Sequence, residues 1–381
     1  MKELSECRVL IVDDVKANVD ILVQALSGEY KLSVALGGHQ AIDAVNRSAP
    51  DLVLLDIMMP DLDGYEVCRR IRAAEATREL PVMFLSSLED VKDKAHGFEV
   101  GGNDYLTKPF EVLEVKARVR SLLKAKAYAD AIKAAAERDL RIAREIQMGL
   151  LPANIAAQVQ ASGLDVHAIL EPAQQVGGDL YEVLRLGPDR VLVAVGDVSG
   201  KGIPASLFMA VTMTLLRSLA RQGHAPSEIL RQLNDELLDQ NPRGMFVTMQ
   251  CLMFDLASRV VTCASAGHHE AAHVVPGEAP RLVFPESGRV LGLMPAGPIP
   301  SETLTLKTGE SLVLFTDGVS EAFDVRQELF GEDRLLAQLA ASPGATARDT
   351  TMGVLDAVRR HATGAKQSDD ITVVTVRNTG E

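Results

Sequence analysis

From Arg8 to about Phe110 the chain alternates short β-branched runs with helical stretches, and RVLIVDD, KLSVAL, DLVLLD, PVMFLSS and DYLTK predict strands. Strands interleaved with helices make βαβ units and a parallel sheet. The runs VLIV and LVLL are apolar throughout, the pattern of strands covered on both faces. Between Glu111 and Leu151 glycine is absent until Gly149, proline does not occur before Pro152, and Ala, Lys, Arg, Glu and Leu dominate. One long helix is predicted there. Steps of seven along it (Val115, Leu122, Ala129, Ala136, Ala143, Leu150) are all apolar, while the companion steps Val112, Val119, Lys126, Lys133, Leu140 and Gln147 are half so. Either a weak coiled-coil seam or an amphipathic face packed on the chain's own domains accounts for the stripe. After Pro152, strands alternate with Gly/Pro turns, broken by helical stretches from Ile203 to Gln222, Pro226 to Leu238 and Ala345 to Ala362. Many strands with segregated helices predict a layered α+β domain rather than a second parallel sheet.

Composition narrows the class. At 381 residues the chain exceeds what one hydrophobic core usually serves, so two domains are expected. With 47% hydrophobic and 24% charged residues it has the balance of a folded protein, not a disordered one. The net charge of -13, with no dense Lys/Arg block, excludes a nucleic-acid-binding surface. Cys7, Cys68, Cys251 and Cys263 form no CxxC pair, which suggests neither a zinc site nor a disulfide framework, and they read as small apolar residues in a reducing compartment. The start MKELSECRVLIVDD lacks the features of a signal peptide. The apolar stretch from Ile203 to Leu216 ends at Arg217, short of the roughly 20 residues that cross a bilayer. A cytoplasmic protein with no membrane partner is expected.

In the first half, Asp13 and Asp14 close the first predicted strand and Asp56 the third, so a parallel sheet brings all three carboxylates to its carboxyl edge. Clustered carboxylates repel unless a cation neutralises them, and Mg²⁺ suits oxygen ligands. Ser86 ends the fourth strand, and Lys108-Pro109 follows the fifth. A hydroxyl and an ammonium at that edge suit phosphoryl oxygens, and the proline is expected to fix the turn with a cis bond. Singly, each residue is ordinary turn chemistry. Together, residues 5–124 resemble the response-regulator receiver domain. The resemblance implies a flavodoxin-like (βα)5 fold, Mg²⁺ held by Asp13, Asp14 and Asp56, and phosphoryl transfer from a sensor histidine kinase onto Asp56. It also implies Ser86 and Lys108 as phosphoryl contacts and Tyr105 as the aromatic switch.

In the second half the acids Asp179 (VGGDLYEV), Asp197 (VAVGDVSGKG), Asp317 (LVLFTDGVSEA) and Asp369-Asp370 (KQSDDITVV) stand out. Glycine beside an acid lets backbone approach an ion or phosphate, although Asp-Gly and Gly-Asp are also common turn dipeptides. Asp197 and Asp317 follow strongly apolar strands, which favours the metal reading. Several acids without a positioned nucleophile point to metal-activated water. Cys251 and Cys263 read as core, and His268 and His269 as loop residues rather than ligands. The segments GGDLYE, GDVSGKG, GIPASLFMA, SAGHHE, FTDGVSEA, ELFGEDRL and SDDITVV resemble the SpoIIE/RsbU-like branch of the PPM serine/threonine phosphatases, and AREIQMGLLP resembles the linker that leads into such domains. That resemblance implies an αββα sandwich binding two Mn²⁺ or Mg²⁺ ions. Asp197 would bridge them with help from the Val198 carbonyl, and Asp179, Asp317 and either Asp369 or Asp370 would complete the shells. Catalysis would rest on Asp197 and Asp317. Where the family often has a second acid or an aromatic-Asp pair after GGD, this chain has Leu180-Tyr181-Glu182, which leaves Glu182 outside the ligand set.

The expected division is a receiver at 5–124, a helical, coiled-coil-like linker at 125–152 and a phosphatase at 153–381. Phosphorylation of Asp56 would control the phosphatase through the long helix, with homodimerisation through that helix. The substrate implied by resemblance is a phosphorylated anti-sigma-factor antagonist. The alternative is a catalytically inactive docking module governed by the receiver. A DNA-binding regulator is disfavoured because no basic recognition helix follows the receiver.

Overall fold

A computed structural model describes residues 3–87, 91–241, 243–285, 288–341 and 345–380. Two compact units, Met1–Arg138 and Asp139–Glu381, divide within a single helix.

The first unit runs β1 (Arg8–Val12), α1 (Lys16–Leu26), β2 (Lys31–Ala35), α2 (Gly38–Ser48), β3 (Leu52–Asp56), α3 (Gly64–Ala73), β4 (Val82–Ser86), α4 (Val91–Glu99), β5 (Asp104–Thr107) and the start of α5 (Val112–Leu150). All strand pairs are parallel, in the order β2-β1-β3-β4-β5. The continuously apolar strands serve two faces by their period of two. Val9, Ile11, Leu52 and Leu54 pack with Leu22 of α1 and Val115 and Val119 of α5. Leu10, Val12, Val53 and Leu55 pack with Val45 of α2 and Val67 and Ile71 of α3. This is the flavodoxin-like architecture, and it leaves the strand ends as the natural place for a site.

The second unit continues with α6 (Ile155–Gln158), β6 (Leu164–Glu171), β7 (Leu180–Arg185), β8 (Arg190–Val198), α7 (Ile203–Ala220), α8 (Pro226–Asp239), β9 (Val247–Asp255), β10 (Val260–Ala266), β11 (Ala271–Val274), β12 (Arg281–Val283), β13 (Ser301–Thr305), β14 (Ser311–Phe315), α9 (Asp317–Ser320), α10 (Gly331–Ala341), α11 (Ala347–His361) and β15 (Ile371–Asn378). Two antiparallel sheets, β13-β10-β9-β8-β7 and β12-β11-β14-β15-β6, lie between helical layers. Leu312, Leu314, Val374 and Val376 join the core shared with Leu192 and Leu252 of the other sheet. Their neighbours Val313, Phe315 and Val373 pack instead under Leu335 and Leu339 of α10 and Leu355 of α11. Among the described residues α7 alone is long and apolar enough to pass for a membrane span, and half of it is buried in this core. The sequence pattern missed α10, whose fully buried residues are only Leu335 and Leu339, too few to write a periodic stripe.

The expected α5 stripe divides between two environments. Val115, Val119 and Leu123 are buried in the first unit's core, and Gln147 is buried at the other end, while Ala129 and Ala136 are exposed. Large apolar residues are left bare at its start, Val112 and Leu113, at Met148 near its end, and between them at Tyr128, Ile132, Ile142 and Ile146; these last four are 60%, 71%, 44% and 63% exposed. With Ala125, Ala135 and Asp139 they fall on a three-four spacing, a different face from the predicted stripe. A face already used by the chain's own cores is unavailable as a seam.

Because the clusters containing Leu54 and Leu314 share no residue, Leu314→Ala should destabilise the second unit by roughly 2–5 kcal/mol and leave the first unit's transition in place. Scanning calorimetry checks this; equal shifts in both transitions would contradict separate cores.

Candidate metal and phosphoryl sites

At the carboxyl edge of the first sheet, Asp13, Asp14 and Asp56 each offer an oxygen within 4.8 Å of the others. Asp13 and Asp56 are buried and Asp14 is exposed. Asp13 is anchored by the Val15 amide at 2.9 Å and by the Asn18 side-chain amide at 3.0 Å. The Lys108 ammonium bridges Asp13 at 2.7 Å and Asp56 at 2.9 Å, and the Lys108-Pro109 bond is cis. Burial raises the Asp56 pKa, against the pull of Lys108. Burial also penalises the Lys108 ammonium, but its bonds to Asp13 and Asp56 outweigh that and keep its pKa high. Three hard oxygen donors, two of them withdrawn from water, fit Mg²⁺. Ser86 is buried on the same edge. Tyr105 is buried between Phe84 and Phe98, with ring centroids 5.3 and 5.5 Å away. Its hydroxyl lies 1.4 Å from where a Cβ on Gly97 would be, so this inward pose requires glycine there.

The second unit gathers its acids from both sheets. Asp179 precedes β7 and Asp197 closes β8; Asp317 opens α9 after β14, and Asp369 and Asp370 precede β15. Asp370 accepts the amides of Ala173 at 2.8 Å, Gly178 at 2.7 Å and Asp179 at 3.4 Å. Both of its oxygens are thereby taken by backbone. A Cβ on Gly177 would lie 1.7 Å from Asp370 Oδ2, and one on Gly318 1.8 Å from the Asp370 carbonyl oxygen. Gly177 of GGD and Gly318 of TDG are therefore required by close packing on Asp370. Asp179 accepts the hydroxyls of Thr316 at 2.7 Å and Thr372 at 2.5 Å. The Val198 carbonyl faces Gly178, 2.5 Å from the place of a Cβ there. Asp369, more open, pairs with Lys201 at 2.8 Å.

Like charges press on one another in this cluster. Burial first, then the charges of Asp317 and Asp369, push Asp197 up to about 7. Burial and the charges of Asp197 and Asp370 push Asp179 well above the carboxylate range. Asp317 is raised by burial and by Asp369, and its Oδ1 is buried with no hydrogen-bond partner. No three of these acids come within 4.8 Å of one another as the receiver acids do, among the described residues. Hard carboxylate oxygens with one of them buried and orphaned fit hard cations.

His268 is not turned to a cation. Its Nδ1 meets the Thr248 hydroxyl at 2.9 Å and its Nε2 the Phe315 carbonyl at 3.1 Å, tying β9 to the end of β14. Burial drives its pKa down to about 3, so the ring is neutral. His269 stacks on Phe315. Glu182 is buried in a salt bridge with Arg217 of α7, which also donates to the Leu150 carbonyl. Sequence reasoning missed Gln147: its amide donates to the Gly177 carbonyl at 2.7 Å and accepts the Gly177 amide at 3.1 Å, fastening the end of α5 to the loop that carries Asp179. The available signal was an amide interrupting an apolar stripe. Thr316 and Thr372 were also missed, although they stand one and two residues from singled-out acids in TDG and DDIT.

Family models match parts of both units. The model of the Stage II sporulation protein E (SpoIIE) family matches residues 187–379, and that of the response regulator receiver domain matches residues 9–120. Response regulator PleD of Caulobacter vibrioides is 35% identical over 197 residues, covering 50% of this chain and 42% of PleD. Protein IcfG of Synechocystis is 28% identical over 269 residues, covering 62% of this chain and 41% of IcfG. The chain thus spans less than half the length of these relatives. Among solved structures, the PP2C domain of SiaA from Pseudomonas aeruginosa superposes with a TM-score of 0.58 at 20% identity, over 65% of this chain and 98% of that one. The PP2C phosphatase domain of SpoIIE from Bacillus subtilis, with a fragment of its regulatory domain, gives 0.50 at 18% identity, over 56% and 63%. Likenesses at that identity show the fold. The chain belongs to the SpoIIE family, with a response-regulator receiver domain placed ahead of a PP2C-type phosphatase domain.

Proposed function

We propose that phosphorylation of Asp56 by a sensor histidine kinase controls a metal-dependent phosphoserine/phosphothreonine phosphatase in the second unit. The observation that carries the hydrolase reading is the buried, partnerless Oδ1 of Asp317, in a cluster where burial and mutual repulsion raise the pKa of Asp179, Asp197 and Asp317. A cation supplies what that oxygen lacks.

Asp179, Asp197, Asp317, Asp369 and the Val198 carbonyl would hold two Mn²⁺ or Mg²⁺ ions. Asp369 is chosen over Asp370 because backbone amides occupy both oxygens of Asp370. When bound, such ions acidify a water and offset charge at phosphorus. The chain's own residues position that chemistry: Thr316 and Thr372 orient Asp179, Gln147 fixes its loop, and neutral His268 braces the two sheets. In the receiver, Asp13, Asp14 and Asp56 would hold Mg²⁺, Ser86 and Lys108 would contact the phosphoryl group, and Tyr105 would report it. The proposed substrate, a phosphorylated anti-sigma-factor antagonist, follows from family kinship.

Regulation would pass along α5, as a homodimer. Its bare face makes a heptad seam with Ala125, Ile132, Asp139 and Ile146 at one core position and Tyr128, Ala135 and Ile142 at the other. In a parallel pair Asp139 would lie beside Arg138 of the second copy, a charge match that sets register.

Mn²⁺-dependent phosphate release from a phosphopeptide should fall to background in Asp197→Ala and should change in rate on adding beryllofluoride to the wild type. Activity surviving in Asp197→Ala, or equal rates with and without beryllofluoride, would contradict the corresponding half of the proposal. Sedimentation should find Ile132→Asp/Ile142→Asp monomeric where the wild type associates; an unchanged profile would remove the seam. Asp197, with its pKa raised from 3.8 to about 7, contributes stability as a neutral group that is lost as pH climbs through about 7. In chelator, Asp197→Asn should therefore melt above the wild type by a margin that widens from about pH 5 to about pH 8, and a constant margin would count against the shared burial of the acids.

A further inference from the structure

Lys201 stands in the loop between β8, which carries Asp197, and α7, flanked by Gly200 and Gly202 at φ values of 89° and 73°. These left-handed glycines fold the loop so that the lysine stem reaches the strand-β15 side of the cluster. Its ammonium lies 2.8 Å from Asp369 Oδ2 and also donates to the Ser368 carbonyl. Among the described residues this is the only ion pair that any of the five acids makes. The side chain remains 45% exposed. An ion pair that open adds little to stability, so the fold gives no strong reason for a lysine here.

We propose that Lys201 is a phosphoryl-binding residue of the second unit: it covers Asp369 in the metal-free protein and turns to a phosphoryl oxygen of the substrate when Asp369 takes a cation. The inference rests on the phosphatase reading and deepens it. Two divalent cations would leave five ionised carboxylates still one charge negative. A phosphate dianion entering the site then needs a further positive group, and among the described residues Lys201 is the one cation paired with any of these acids. At neutral pH a lysine side chain is an ammonium. A flexible four-carbon stem suits a donor that changes partner, and lysine binds phosphate as a compact point charge.

The test uses the full chain, with calorimetric titration of Mn²⁺ into the metal-free protein and of inorganic phosphate into the Mn²⁺-loaded protein. Lys201→Gln should weaken phosphate binding about tenfold without weakening Mn²⁺ binding, and Lys201→Arg should recover most of the loss. Phosphate bound equally well by Lys201→Gln would overturn the inference, leaving Lys201 a clip on the Ser368–Asp369 loop. So would loss of Mn²⁺ binding in that variant, or a wild type that takes up Mn²⁺ but no phosphate. A wild type that takes up no Mn²⁺ overturns the phosphatase reading itself, and this inference with it.

Discussion

The geometry of the second unit depends on the carboxylate of Asp370. Standing at the start of β15 in one sheet, it accepts amides from Ala173, Gly178 and Asp179, and so fixes the loop that leads into β7 of the other. Buried charge is tolerated only when hydrogen bonds replace the lost water, and backbone donors do so without adding a flexible partner. The threonines on either side of Asp370, Thr316 in space and Thr372 in sequence, then hold Asp179. Acids that repel one another are thereby kept together by neutral donors.

The receiver solves the same electrostatic problem with a mobile cation. Asp13 and Asp56 share the Lys108 ammonium, and each is also braced locally, Asp13 by the Val15 amide and the Asn18 side chain and Asp56 by the Met58 amide. Lys201 on Asp369 is the corresponding arrangement in the second unit, where it meets one acid of five. In both places a long basic side chain covers carboxylates that a hard cation would otherwise neutralise.

Helix α5 joins these chemistries through its faces. Near its start, Val115, Val119 and Leu123 are part of the receiver core; near its end, Gln147 holds Gly177, and the Leu150 carbonyl accepts from Arg217. Rotation or displacement of the helix end would therefore act on the loop of Asp179 through a pair of hydrogen bonds. Its middle has no core to join, which is why Tyr128, Ile132 and Ile142 stay bare.

The sequence by itself determined the receiver strands and the edge at which Asp13, Asp56, Ser86 and Lys108 meet, because strands that all run the same way bring the carboxyl ends of their local apolar runs to one edge. It also marked the acids of the second unit, since glycine beside an acid after an apolar strand is a local signature. It could not choose between Asp369 and Asp370: the difference lies in which one the amides of residues 173–179 enclose, nearly two hundred positions away in the chain. It showed Gln147 only as a polar step in a half-apolar series and gave Lys201 no role of its own, because the partners of both are set by tertiary packing. The predicted stripe on α5 and the face that stays bare differ for the same reason. Periodicity shows which residues of a helix share a face, and only the tertiary structure decides which face the chain's own cores have already covered.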